Sequence, residues 1–214
     1  MIQNESESLE YWNERFSRDE NCVGWGSKEG SEWQIRKEQA IEFVLKDDKD
    51  VMCILDLCCG NSNLILKTIE KTEHNERLAY FGLDGAENQI LFNKNLLKEN
   101  KYSYPIIFQQ KSLSQFIKEK DNLNGLFDVL ILNDVLFHII EDDLYENIIK
   151  TIFSLDSKYI ILTFAESDEK IISDENGHFI TRPFNRNIKG YKLIHEDYSR
   201  NLINQKICVF KKGD

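Results

Sequence analysis

Val51-Met52-Cys53-Ile54-Leu55-Asp56-Leu57-Cys58-Cys59-Gly60-Asn61-Ser62 is an apolar run that ends in an acid and then in small residues. A continuous apolar run of this kind reads as a strand buried on both faces, the pattern of a parallel sheet. Small residues at its carboxyl end let the backbone approach a ligand closely, and the helical stretch that follows, Asn63 to Lys71, offers unpaired amides. A cofactor belongs at such a junction, and an ordinary tight turn at Gly60 is the alternative reading. The run contains no GxGxxG. Without that glycine set a dinucleotide pyrophosphate is not brought onto the helix, which argues against a nicotinamide cofactor.

Outward from this stretch, apolar runs recur at Leu78 to Leu83, Ile106 to Phe108, Phe127 to Leu132 and Tyr159 to Phe164, each ending in polar residues. Between them lie helical stretches at Glu87 to Glu99, Leu113 to Lys120 and Asp142 to Phe153, and another over Gln34 to Leu45 precedes the first strand. This alternation implies right-handed βαβ units and a parallel sheet covered on both faces. The tail changes rhythm, because Tyr191 to Glu196 and Lys206 to Phe210 flank the turn-prone SRNLIN. The expected fold is α/β: a seven-stranded sheet of five parallel strands plus an antiparallel closing pair, with helices on both faces. Everything before the first helix reads as a polar and aromatic lead-in, so residues 1–33 are expected to form a lead-in or lid and residues 34–214 the sheet domain. The stretch from Ala165 to Lys189 has no regular pattern, and functional loop or disorder are its two readings.

Four segments carry a family resemblance. ILDLCCGNSNL, from Ile54, resembles the first motif of class I S-adenosylmethionine-dependent methyltransferases, whose usual form is a hydrophobic strand, an acid and GxGxG. YFGLDGAENQI, from Tyr80, resembles their second motif, and FDVLILNDVLFHI, from Phe127, resembles their fourth-strand motif. The lead-in Tyr11-Trp12-Asn13-Glu14-Arg15-Phe16 is similar to the YWxxRF opening of many small bacterial members, so the resemblance runs from about Tyr11 to Lys211. It implies a Rossmann-like fold and S-adenosylmethionine as cofactor, with Asp56, Cys58 and Gly60 around its amino acid end and Asp84 on the ribose hydroxyls. Cys58 and Ser62 stand where the pattern has its first and third glycines, and a positive φ there costs a non-glycine residue. Asp84 has a helix cap as its other reading. Tyr11, Trp12 and Arg15 are expected to close over the methionine carboxylate, with Trp25 and Trp33 shaping the substrate cavity; plain packing of the segment is the alternative.

After the third strand, where the family places an adenine-side polar residue, Ser112 is the candidate, with a helix N-cap as its other role. Asn133 and Asp134 end the fourth strand and are candidates for the wall beside the sulfonium, with capping as the alternative for Asp134. His138 is a candidate general base over the open mouth, or a structural histidine among Leu136, Phe137, Ile139 and Ile140. In the irregular loop, Arg182 is the candidate anchor for an anionic acceptor and His178 a second candidate base. The competing reading for the loop arginines is solvation or pairing with Asp174 and Glu175.

Lys plus Arg number 27 against 37 for Asp plus Glu, a formal net charge of -10, which disfavours duplex nucleic acid as a partner. Five cysteines without a scaffold spacing read as a reducing, cytoplasmic chain. The acidic N-terminus and the lack of an apolar run near ~20 residues indicate neither secretion nor membrane insertion. The four histidines form no HxxxH, so no metal is expected. The expected function is methyl transfer to a small polar or anionic metabolite by a monomer or homodimer. The rivals are a catalytically silent binder of S-adenosylmethionine or S-adenosylhomocysteine, and a protein or tRNA methyltransferase.

Overall fold

The computed structural model describes residues 3–18, 30–172, 179–199 and 204–213. Its main sheet is built from β1 (Cys53–Leu57), β2 (Ala79–Asp84), β3 (Ile106–Gln110), β4 (Val129–Leu132), β5 (Tyr159–Ala165), β8 (Tyr191–Tyr198) and β9 (Gln205–Lys212). The strand order is β3-β2-β1-β4-β5-β9-β8. The first five strands are mutually parallel, and β9 runs antiparallel between β5 and β8. This is the seven-stranded Rossmann-like α/β sheet expected from the sequence.

Six helices accompany the sheet in the described residues: α1 (Glu5–Arg18), α2 (Glu32–Asp47), α3 (Asn63–Glu70), α4 (Glu87–Glu99), α5 (Leu113–Glu119) and α6 (Asp142–Ile152). Side chains alternate across a strand, so neighbouring strand residues feed opposite cores. Ile54, Ile131, Ile161 and Val209 pack with Ala40, Ile41 and Val44 of α2, Leu66 of α3 and Ile90 of α4. Leu55, Leu130, Ile160 and Cys208 point the other way, against Phe116 of α5 and Ile148 and Ile152 of α6. Each buried aliphatic side chain contributes roughly 1.5–3 kcal/mol, which fixes the sheet as the rigid base of whatever lies above it.

Two stretches are more ordered than their sequence suggests. Residues 5–18, expected as a lead-in, form α1: Asn4 Oδ1 accepts the Glu7 amide at 3.0 Å, Glu5 and Glu7 sit in the first turn, and Arg15 and Arg18 sit in the last. The irregular stretch contains a small antiparallel pair, β6 (Ile171–Ile172) and β7 (Ile180–Thr181), and Ile180, Thr181, Arg182 and Phe184 are buried. Tertiary packing rather than periodicity orders it, because Phe184 stacks on Phe164 of β5 with ring centroids 4.2 Å apart. No helix among the described residues is long and apolar enough to cross a membrane.

Candidate active site

A cavity of about 1270 Å³ lies over the carboxyl ends of β1, β2 and β4, roofed by α1 and by the first turns of α2. Its floor is the loop from Cys58 to Ser62. Cys58 has φ 53° and Gly60 φ 47°, so the chain turns back on itself twice before α3 begins. Ser62 takes an ordinary helical φ of -72°, so its replacement of a glycine carries no backbone strain. Neighbouring elements tie the loop down: the Cys59 amide donates to Leu83 O at 2.9 Å and the Gly60 amide to Asp84 Oδ2 at 2.9 Å. From α4, fully buried Asn93 donates to Gly60 O at 2.7 Å and accepts the Ser62 amide at 3.2 Å. Asp84 Oδ1 also accepts the Ala86 amide at 2.8 Å. Burial pushes the Asp84 carboxyl up, partly countered by these two backbone amides.

Asp56 sits beneath the loop, with Tyr80 donating to its Oδ2 at 2.6 Å. Burial lifts the Asp56 carboxyl to about 7; the Tyr80 hydrogen bond works against that rise. Burial also holds the Cys58 and Cys59 thiols well above their ordinary range, so neither is a thiolate nucleophile.

Across the cavity, Asp134 follows β4 with φ 58°. Its carboxylate accepts from Trp33 Nε1 at 3.0 Å and Thr163 Oγ1 at 3.0 Å, and pairs with Lys37 Nζ at 2.5 Å. The Asp134 amide donates to the Thr163 hydroxyl. Burial alone would raise this carboxyl, but the buried Lys37 ammonium and the hydrogen bonds from Trp33 and Thr163 together outweigh it and hold Asp134 below the ordinary carboxylate range. The adjacent Asn133 Oδ1 is buried without a hydrogen-bond partner. His138 lies in an aromatic wall, edge-on to Trp12 at 5.1 Å, Phe137 at 4.6 Å and Phe179 at 6.1 Å between ring centroids.

Helix α1 crosses the top. At its start, Glu5 Oε1 accepts the Ser114 amide at 3.0 Å and the Glu5 amide donates to Glu141 Oε2 at 2.8 Å. Further on, Asn13 accepts from the Asn88 amide and from its side chain, both at 3.2 Å, and Phe16 meets Phe92 edge-on at 5.5 Å. Leu9 packs directly on Gly85, where a Cβ would lie 2.4 Å from Leu9 Cδ2, so a larger residue there would push the Leu9 side chain aside.

This geometry has known counterparts. A family model for a methyltransferase domain matches residues 48–199. The chain belongs to that family, the class I methyltransferases that use S-adenosylmethionine. Comparison with curated proteins finds no match. Among solved structures, the magnesium protoporphyrin IX methyltransferase of Synechocystis PCC 6803 with bound S-adenosylmethionine is similar, with TM-score 0.65, 18% identity, and 100% of this chain and 99% of that one covered. The N-methyltransferase NodS of Bradyrhizobium japonicum WM9 with S-adenosylhomocysteine gives TM-score 0.68 at 11% identity, covering 97% and 99%. The methyltransferase domain of bacterial CtHen1-C gives 0.59 at 16%, covering 83% and 97%. At such identities the likeness speaks to fold.

The residues of this methyltransferase fit the cofactor. A Cβ on Gly60 would meet nothing within 4 Å, so the turn opens onto free space, and Asp56 and Asp84 line the same wall. Of the residues expected from the sequence, Asp56, Cys58, Gly60, Asp84, Asn133, Asp134, Trp12, Arg15 and His138 all line the cavity. Tyr11 is not among the lining residues and accepts from Arg15 Nη1 at 2.9 Å, while the Arg15 guanidinium lies 5.3 Å from the Trp12 ring centroid.

Ser112 and Arg182 are not brought to the cavity. Ser112 caps α5 in a reciprocal pair with Gln115. Arg182 is buried: its Nη2 donates to Asp142 Oδ1 at 2.9 Å and to Ile140 O at 3.0 Å, and its guanidinium lies 4.6 Å from the Tyr145 ring centroid. It joins the end of β7 to α6. His178 and Trp25 lie outside the described residues.

The site also holds residues the sequence reading did not single out: Lys37, Tyr80, Asn93 and Thr163. Two had a signal. Lys37 falls in the buried stripe of α2 with Trp33, Ala40, Ile41 and Val44, and Asn93 falls in the buried stripe of α4 with Gln89 and Ile90. A charge or amide inside an apolar stripe needs a partner. Among the described residues no cluster of His, Cys, Asp and Glu is arranged to hold a metal ion.

Proposed function

We propose that this methyltransferase methylates a small polar or anionic metabolite. The observation carrying the reading is the roofed cavity: α1 covers the ends of β1, β2 and β4, and the space beneath it suits a cofactor and a small acceptor rather than an extended polymer. Asp84 is assigned to the ribose hydroxyls, Asp56, Cys58 and Gly60 to the methionine end, and Trp12 and Arg15 to its closure, with Tyr11 holding Arg15. Residues 1–33 act as a lid on the domain formed by residues 34–214.

When bound, S-adenosylmethionine supplies an electrophilic methyl group on a sulfonium. The protein's part is alignment, exclusion of water and care of the acceptor's proton. Asp84, together with Asp56, Cys58 and Gly60, would hold the cofactor so that its methyl passes to the acceptor's lone pair and the carbon–sulfur electrons stay on sulfur, leaving the acceptor atom a proton to lose. His138, which lies in the aromatic wall, is assigned to receive that proton directly or through water. With Arg182 committed to Asp142, the polar contact assigned to the acceptor is the Lys37–Asp134 pair and the neighbouring Asn133 Oδ1.

The test is incubation with isotopically methyl-labelled cofactor and a fractionated cell extract, followed by mass spectrometry of what becomes labelled. A small, charged or polar product supports the reading. Label found in protein or RNA, or a large apolar product, overturns it.

A further inference from the structure

We propose that Tyr80 is a positioning residue for the cofactor: its hydroxyl holds one oxygen of Asp56 and leaves the other for the α-ammonium of the methionine end, so that this grip depends on pH. The inference rests on the reading of the cavity as the cofactor site.

Tyr80 is fully buried on β2, with its ring edge-on to Phe108 at 5.9 Å. Its oxygen lies 2.6 Å from Asp56 Oδ2 and 3.1 Å from Ser62 Oγ. A phenol has one hydrogen, and Asn93 Nδ2 already approaches Ser62 Oγ at 3.3 Å as a donor. The Tyr80 hydrogen therefore goes to the carboxyl, and the Ser62 hydroxyl donates to Tyr80. Packing alone does not call for that hydroxyl, since a phenylalanine would fill the same apolar space. The hydroxyl clamps one edge of Asp56 and turns the other edge to the cavity that Asp56 lines.

The charged and titratable groups facing Asp56 are Tyr80 and Asp84 from β2, Cys58 and Cys59 from the loop, and Lys37 from α2, itself paired with Asp134 at the end of β4. Burial raises the Asp56 carboxyl to about 7, Tyr80 opposes the rise, Asp84 adds to it and Lys37 subtracts from it. An ammonium placed against the free oxygen favours the carboxylate. Below neutrality its binding therefore drives one proton from Asp56 into solvent, and affinity rises with pH until Asp56 is already ionised.

The test compares S-adenosylhomocysteine with 5′-methylthioadenosine, which keeps the adenosine and thioether but lacks the amino acid end. Calorimetry between about pH 5.5 and 8 should show the former tightening about tenfold and the latter flat. Tyr80→Phe should weaken S-adenosylhomocysteine about tenfold at neutral pH and move its rise to higher pH, leaving 5′-methylthioadenosine unchanged. Asp56→Asn should give weak S-adenosylhomocysteine binding with no pH dependence. If wild-type protein binds both ligands with the same pH profile, or Tyr80→Phe weakens both equally, the role of Tyr80 is overturned. If neither ligand binds wild-type protein at any pH, the reading of the cavity itself fails.

Discussion

At the ends of β1 and β2 the cavity wall is largely backbone, and the amides of Cys59, Gly60 and Ser62 are each met by a strand or helix immediately alongside. Across the cavity, at the end of β4, the wall is made by side chains that travel far in sequence: Trp33 and Lys37 from α2 and Thr163 from β5 converge on Asp134. The first wall is shaped by a turn that forms locally. The second exists only once three segments have packed, and it holds a buried ion pair. Such a pair stabilises only while both members are present, because a lone buried charge costs more than the pair contributes. The cofactor side should thus tolerate single changes with a loss of binding, and the acceptor side should answer them with a loss of stability.

The strongest test of that contrast is Lys37→Met. It strands the Asp134 carboxylate, with Lys37 itself only 4% exposed, and should lower unfolding free energy by about 3–5 kcal/mol in urea titrations. Adding Asp134→Asn should restore most of the loss. If the single variant unfolds like wild type, the pair is ornamental and the two walls do not differ in kind.

The same contrast explains what the sequence disclosed. β1, its loop and Asp84 lie within one βαβ unit, so their spacing is readable, and so is the alternation that marks five parallel strands and a closing pair. The surroundings of Arg182 are not legible, because a cation in an irregular stretch of an acidic chain reads as exposed, whereas Asp142 and Tyr145 of α6 enclose it. Lys37 was visible only as an oddity in a buried stripe, and nothing local to it names Asp134, 97 residues away, as partner. Helix α1 has Leu9, Trp12 and Phe16 at helical spacing but reads as a lead-in, because the residues that hold it, Asn88, Ser114 and Glu141, are all remote in sequence.

Within the cofactor wall, Asp56 gives the next largest effect. Its folded value, about 7, lies above the ordinary 3.8. Below the lower value both states are protonated. As pH rises between the two, the unfolded chain releases the proton while the folded chain keeps it, so stability falls. The loss is complete just above neutrality, on the order of 4 kcal/mol. Asp134 and Asp142, whose carboxyls are depressed, act with the opposite sign at more acid pH. Urea titrations from about pH 5 to 8 should show the decline in wild type and its absence in Asp56→Asn. A decline that persists in the variant would assign it elsewhere.

Asp84→Ala tests the local wall directly. It removes the acceptor of two amides and the proposed ribose contact, so calorimetric affinity for S-adenosylhomocysteine should drop about ten- to hundred-fold, for charge-assisted bonds of roughly 1.5–3 kcal/mol. Unchanged affinity would reduce Asp84 to a turn and cap residue.

The smallest effect is expected at the roof, where the two walls meet. Asn13→Ala deletes the side-chain acceptor of the Asn88 amide, one of two hydrogen bonds joining α1 to the first turn of α4, and leaves the apolar seam of Leu9 and Phe16 in place. One exposed hydrogen bond is worth about 1 kcal/mol, so α1 should lift a few times more often without being lost. Amide exchange over residues 5–18 should quicken about fivefold in the variant, while exchange in β1 and β4 stays as in wild type. If α1 is a lid, S-adenosylhomocysteine should slow exchange of that segment in both proteins, and affinity in the variant should fall only two- to five-fold, roughly, because the ligand must close a roof that opens more readily. Exchange in α1 that ignores the ligand would make the helix a fixed wall, and the distinction between a locally built cofactor floor and a movable roof would then end at the loop from Cys58 to Ser62.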